Sequence, residues 1–449
     1  MSDRPARFAL ASSRIVTPEG VRGGAVLIAG GKIEAVVSHD EVPTSVPVED
    51  LGGLVISPGL VDAHVHINEP GRTEWEGFES ATRAAAAGGV TTVVDMPLNS
   101  TPVTTTVAAL DAKRQAAEGK CWVDVGFYGG LVEDNAAEIE ALLDAGVCGV
   151  KAFLCHSGLY DFPAVGEEEL RQALPLLARR GVPLLVHAEI VDDDFPTQTP
   201  RSYRDWEWMR PDHFEWNALE LLERLCREFM APIHVVHLST GVATYKFHSA
   251  KDHGLPLSVE TCPHYLHFCS EELQDADTRF KCAPPIRRKD DRERLWNALI
   301  SGVIDTIGSD HSPCPPEMKC LETNDWQRAW GGISSLQLTL PIVWRGARSR
   351  MVPLARLTDW LSSNPARLVG LDDRKGRIAA GFDADLCVWD PTEEWTVRGG
   401  ELQHRHKVTA YEGERLLGRV KRTYVRGRLV YDDGEFPAGP VGQLLRRGN

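Results

Sequence analysis

Through the middle of the chain, short apolar runs alternate with longer amphipathic stretches, the pattern of repeated βα units around a parallel sheet. Eight runs have strand character: LVDAHVHI (60–67), TTVVDMP (91–97), VDVGFYGG (123–130), GVKAFLC (149–155), PLLVHAE (183–189), PIHVVHL (232–238), PLSVETCP (256–263) and DTIGSDH (305–311). Between them, stretches such as EGFESATRAAAAGG, EIEALLDAGV and EEELRQALPLLARRG carry helical spacing, and several end in Gly, as helices often do. Eight strands with intervening helices predict an α/β fold, a (β/α)₈ barrel of the TIM type, with its functional groups at the C-terminal strand ends. The runs alone are equally compatible with an open sheet, so the polar positions have to decide.

Both ends of the chain read differently. FALASSRIVT, GGAVLIAGGKIEAVV and VEDLGGLVISP are β-prone segments broken by Gly and Pro, and GRIAAGFDADLCVWDP and GRVKRTYVRGRLVYDDGE repeat that character near the other end. They predict a small β-sandwich built from residues 1–58 and 372–449 around a barrel at 59–371, although two separate small β modules would give the same pattern.

Composition narrows the class of function. Of 449 residues, 43% are hydrophobic and 25% charged, ordinary values for a globular protein with a large core. No apolar run approaches the ~18 residues of a membrane helix, and MSDRPARFALASS lacks the apolar centre of a signal peptide, so a cytoplasmic protein is expected. A formal net charge of -15 opposes binding to nucleic acid or an anionic membrane and leaves a small-molecule substrate as the expected partner. The ten cysteines include no CxxC pair, which argues for buried free thiols and against a zinc finger or redox motif.

One lysine is out of place. In GVCGVKAFLCHSG, Lys151 lies among residues that favour burial, where an unpaired ammonium is costly. Its plain reading is a side chain that snorkels to water. Other polar residues fall at the ends of the same strands. His64 and His66 stand at i and i+2, so one face of a strand presents both imidazoles. The fifth and sixth runs carry His187 and His237, and the eighth closes on Asp310. Each alone has a structural explanation: a satisfied core histidine, or an aspartate capping a turn. Six such groups at successive strand ends point instead to one catalytic divalent-metal site at a barrel mouth. His264 is a candidate neighbour of that site, while His234 reads as structural, and His213, His248, His253, His404 and His406 as surface or packing residues.

At this point the sequence is recognisable. The stretches LVISPGLVDAHVHINEPGRTEWEGFESATRAAAAGGVTTVVDMPLNSTP, VKAFLCHSG, VHAE, VVHLST, ETCPHYLHF, FKCAPPIR, DTIGSDHSPC and GGISSLQLTLP occur in order along nearly the whole chain. By them the chain resembles the cyclic amidohydrolases, and within these the allantoinases. The resemblance implies a metal-dependent barrel in which His64 and His66 bind one cation and His187 and His237 another. It implies that Lys151 is carbamylated by carbon dioxide (N6-carboxylysine) and bridges the pair, and that Asp310 joins the first cation. Zinc is the expected metal, with cobalt, manganese or iron acceptable to the same donors, and a homo-oligomer, with a tetramer favoured, is the expected assembly. The implied reaction is hydrolysis of the cyclic amide bond of allantoin to allantoate. A hydroxide shared by the two cations attacks, and Asp310 shuttles its proton to the departing nitrogen.

Three positions bear on the substrate. Dihydroorotase-like relatives carry Arg two residues after the HxH pair, to grip a carboxylate; here Asn68 stands there, suited to a neutral ureido group. Dihydropyrimidinase-like relatives place Tyr five residues after the lysine, where this chain has His156, and Asn where it has Gly332. Asn68, His156 and Ser312 are the expected substrate contacts, with Asn99 and Arg72 ordering loops near the mouth. The tryptophan-rich stretch FPTQTPRSYRDWEWMRPDHFEW (195–216) would cover the mouth or pack against a neighbouring subunit. The contrasting class is a catalytically inactive scaffold on the same fold. Such relatives lose metal ligands, and here all six positions are filled.

Overall fold

The computed structural model describes residues 6–448 apart from 193 and 197. The first five strands, β1 (Arg7–Thr17), β2 (Gly20–Ala29), β3 (Lys32–Val37), β4 (Val48–Asp50) and β5 (Val55–Pro58), come from the N-terminal end. Nine follow through the middle: β6 (Leu60–Val65), β7 (Val90–Asp95), β8 (Asp124–Phe127), β9 (Gly129–Gly130), β10 (Val150–Phe153), β11 (Leu184–His187), β12 (Ile233–Val235), β13 (Leu257–Thr261) and β14 (Thr306–Ile307). The last three are β15 (Leu386–Thr396), β16 (Arg415–Val425) and β17 (Arg428–Asp432).

The middle strands form a TIM-type barrel. β6, β7 and β8 pair in parallel, as do β9 through β14 in chain order. β8 and β9 are one run interrupted at Tyr128, and a parallel bridge between Val65 and His311 joins β6 to the segment after β14. The closed circuit therefore follows the eight predicted apolar runs. β6, β7, β10 and β11 are buried along their whole length, as expected where helices cover one face of a parallel sheet and packed side chains fill the other. The covering helices include Phe78–Ala87, Ile139–Asp144 and Glu167–Arg180. The last has three glutamates in its first turn, Arg179 and Arg180 in its last, and a left-handed Gly181 as its cap, so charge and backbone both favour its ends.

Strands from the two ends of the chain interleave in one sheet of order β17-β16-β15-β5-β1-β2-β3, with β4 added beside β1. The join is the antiparallel pairing of β5 with β15, Val55 to Pro58 against Leu386 to Trp389. Alternation along β1 sends Phe8 and Leu10 into one apolar cluster with Val26 and Ile28, and Ala9 and Ala11 into another with Leu27. A buried ion cluster ties this sheet to the barrel. Lys375 Nζ lies 2.5 Å from Asp124 at the start of β8, 2.6 Å from Asp385 and 3.0 Å from Asp383. Arg426 pairs with Asp124 as well. All ten cysteines are free thiols, and no helix among the described residues is long and apolar enough to cross a membrane.

Candidate metal centre

Alternation along β6 turns Asp62, His64 and, just beyond it, His66 to the same side. Asp62 Oδ1 accepts the backbone N–H groups of His64 and Ser309, both at 3.1 Å, which locks β6 to the strand that closes the barrel. Burial raises the Asp62 carboxyl to about 6. One strand further, Asp95 accepts the N–H of Ile67 at 2.8 Å and pairs with buried Lys113 at 2.6 Å. The ends of three strands are thus fastened by buried carboxylates before any functional side chain is considered.

His64 gives its Nδ1 to Glu260 Oε1 at 2.6 Å, leaving Nε2 facing Asp310 Oδ1 at 3.3 Å. His66 Nε2 lies 3.4 Å from the same oxygen, and the Asn99 amide stands 3.1 Å from its Nδ1. Burial opposes ionisation of Asp310, but His64 and His66 outweigh it and hold its carboxyl well below the usual range. Across the mouth, His187 Nδ1 and His237 Nε2 are 3.0 Å apart, while His187 Nε2 meets Glu189 Oε2 at 2.7 Å. Burial lowers His66 and, more strongly, His237, keeping them neutral and able to offer a lone pair. The His64 and His237 rings are 5.4 Å apart, so the two pairs of imidazoles border one space.

Lys151 enters that space from β10. It is fully buried, and its Nζ has no hydrogen-bond partner among the described residues. The amine lies 4.9 Å from the Phe153 ring, which stacks on His187 at 4.6 Å. Burial pushes its pKa down to about 8, against the pull of Asp310 and Glu260. It does not snorkel: the strand holds it inside.

The backbone around the site is unusual. Asn68, Asn99, His237 and Asp310 all have positive φ, between 41° and 67°. Left-handed backbone is uncommon for residues with a side chain and gathers at functional sites. Gly308, in the eighth run, shows the crowding: a Cβ there would lie 2.3 Å from Glu260 Oε2 and 2.9 Å from His64 Cβ.

The expected substrate contacts divide. Asn68 is buried; its amide nitrogen donates weakly to Pro313 O at 3.4 Å, and its Oδ1 has no partner among the described residues. Ser312 is buried as well, its N–H donating to Ile333 O at 3.1 Å and its carbonyl accepting from Trp330 Nε1 at 3.2 Å. Gly332 packs so closely that a Cβ would stand 2.4 Å from Ser312 O, which leaves no room for a side chain. His156, by contrast, is exposed, its Nδ1 taken by the N–H of Gly158 at 3.0 Å and its ring edge-on to Tyr160. His264 is buried with both ring nitrogens unpartnered among the described residues, one of them within 4.8 Å of an Asp310 oxygen. His234 is a structural residue, bonded to Ser258 at 2.8 Å. Asn99 meets His66 as described, and Arg72 lies over Trp75, which packs on Trp330.

The sequence reading missed the carboxylates behind the imidazoles. Glu189 had a signal, since it stands at i+2 from His187 and so shares its face, as His66 does with His64. Glu260 had little, because its partner His64 is 196 residues away.

The donor set fits divalent cations. His64, His66 and Asp310 offer ligand atoms within 4.8 Å of one another, and so do Cys155, His187 and Glu189. Glu189 is already neutralised by Arg210, so it reads as the group that orients His187. Barrel and site together define a metal-dependent hydrolase of the amidohydrolase class. Sequence comparison agrees: residues 55–430 match the model of the amidohydrolase family, and residues 5–51 match the allantoinase composite domain. The chain is 48% identical to the allantoinase of Streptomyces avermitilis over the full length of both, and 45% identical to that of Arabidopsis thaliana over 97% of this chain and 90% of the relative. Among solved structures, the L-hydantoinase (dihydropyrimidinase) of Arthrobacter aurescens matches 98% of the chain, and 99% of its own, with TM-score 0.92 at 30% identity. The chain belongs to the amidohydrolase family, in its allantoinase branch, and its activity is that of an allantoinase-type cyclic amidohydrolase.

Proposed function

We propose that the protein hydrolyses one cyclic amide bond of allantoin to give allantoate at a pair of divalent cations, zinc being the metal expected. The observation that carries this reading is Lys151 Nζ, fully buried and unpartnered beside four imidazoles. A neutral amine adds to carbon dioxide and releases one proton, and the resulting carbamate offers two oxygens where the chain otherwise supplies an awkward cation. With its pKa near 8, a useful fraction of Lys151 is neutral at physiological pH. His64, His66 and Asp310 would hold one cation, His187 and His237 the other, with the carbamate between them. When bound, the cations would lower the pKa of a water molecule and polarise the ring carbonyl.

The chain's own groups do the rest. Asp310 has one oxygen turned to His64 and His66, and its other oxygen is the candidate to take the proton of the attacking water and return it to the departing ring nitrogen. Asn68, with a buried and unpartnered carbonyl oxygen, suits an N–H of a neutral ureide, and no guanidinium stands at its position to select a carboxylate. Ser312 is the second contact. His156, if it touches substrate, must first release Gly158 and move inward.

The test is a panel of allantoin, dihydrouracil, hydantoin and dihydroorotate, offered after reconstitution with zinc and bicarbonate. Allantoin should be turned over most efficiently. A preference for dihydrouracil or hydantoin would replace this reading with that of the hydantoinase relatives. Asp310→Asn should lose about 10²–10⁴-fold in kcat, the usual worth of a general base, while retaining part of the metal.

A further inference from the structure

His187 is held by a line of groups that begins outside the barrel. Its Nε2 lies 2.7 Å from Glu189 Oε2, which leaves Nδ1 to face His237 Nε2 at 3.0 Å. Glu189 is fully buried, and a buried carboxylate is costly to ionise without a cation beside it. Arg210 supplies that cation. Its Nε donates to Glu189 Oε1 at 3.1 Å and its Nη2 to Oε2, a two-pronged grip on a planar carboxylate.

Arg210 belongs to the tryptophan-rich segment after β11. Its guanidinium lies over the Trp206 ring at 5.4 Å, and the Trp206 indole N–H donates to Cys282 O at 2.8 Å. The Arg210 carbonyl accepts from the buried Arg287 guanidinium at 3.0 Å. The segment is therefore pinned by its backbone, its indole and its arginine. Through Glu189, the arginine connects this segment to His187.

We propose that Arg210 is a positioning residue for one half of the metal centre: by gripping both oxygens of Glu189, it fixes the plane of the His187 ring and keeps Nδ1 turned toward His237. This rests on the reading that His187 and His237 hold a cation. Without Arg210, Glu189 loses the two-pronged grip that sets its plane, and the His187 ring that it holds is free to turn its Nδ1 away from the cation. The effect is confined to the His187–His237 half, because His64 is oriented separately by Glu260 and His66 by Asn99.

The experiment loads full-length protein with cobalt(II) and follows competition by a chelator, reading stoichiometry and the visible spectrum. Wild type should hold two ions. Arg210→Met should keep one at wild-type affinity and bind the other 10–100-fold more weakly, the usual cost of removing a ligand-orienting group. Arg210→Lys, which keeps the charge but not the fork, should fall between. In both variants saturating cobalt should restore most of kcat. Two ions bound with wild-type affinity in Arg210→Met would overturn the proposal, and so would equal weakening of both ions, which marks general damage to the fold. Fewer than two ions in the wild type would instead overturn the reading of the metal centre on which the proposal rests.

Discussion

Two buried clusters with the donor chemistry of a cation site, one at the barrel mouth and one behind it, behave oppositely. At the barrel mouth His64, His66 and Asp310 lie within 4.8 Å of one another; behind the barrel Asp124, Asp383 and Asp385 do the same. In the second cluster the chain provides the cations. Lys375 touches all three carboxylates, and Arg426 and Arg374 complete the neutralisation. In the first, Lys151 Nζ, both ring nitrogens of His264, one nitrogen of His237 and one oxygen of Asn68 are unmatched among the described residues. A cluster of buried polar groups without partners is the more telling condition, because each calls for an explanation and a bound ion answers for several at once.

Lys151→Ala attacks the contrast at its centre. It should cost at least about 10³-fold in kcat, since a cation pair supplies several kcal/mol of transition-state stabilisation and each 1.36 kcal/mol is tenfold. Metal analysis should show the pair lost together, and an active, fully loaded variant would erase the distinction between the clusters. Lys375→Met attacks the other side. Leaving three buried carboxylates without their central cation should destabilise the protein by about 3–5 kcal/mol, measured by urea unfolding, with kcat per folded molecule unchanged. A third test sharpens the state of the mouth. With dissolved carbon dioxide held constant, metal-free protein should regain activity about tenfold faster at pH 9 than at pH 7, because only the neutral amine of Lys151, with its pKa near 8, reacts. A flat profile would separate reactivation from that amine. The smallest effect belongs to Asn68→Ala: loss of one hydrogen bond should raise KM for allantoin about 2- to 10-fold, with kcat and metal content steady.

These contrasts also show what a sequence can reveal. The barrel was legible because eight short apolar runs alternate with helical stretches and carry polar groups at their ends, and the HxH pair because alternation alone puts both imidazoles on one side. Lys151 announced itself by being wrong for its surroundings. The partners that make the site work were not legible in the same way. Glu260 and Arg210 are ordinary charged residues until folding sets them against His64 and Glu189, and Lys375 meets Asp124 across 251 positions of sequence. His156 was read from its spacing after Lys151, yet the turn at Gly158 holds it outward. Spacing along a strand carries information about direction; beyond the strand end, the local turn decides.

The pairing of β5 with β15 has a consequence for how the molecule is made. β5 leads directly into β6, the strand that carries the HxH pair, yet its neighbour on one side is supplied only when residues 386–389 have been synthesised. A nascent chain emerging from the ribosome can build its barrel strands in order, since each pairs with the one just made. Throughout that time β5 presents an open edge, the kind of surface on which other chains add strands. Translation of residues 59–385 is therefore a period of exposure for the growing chain, ended when β15 arrives and covers that edge.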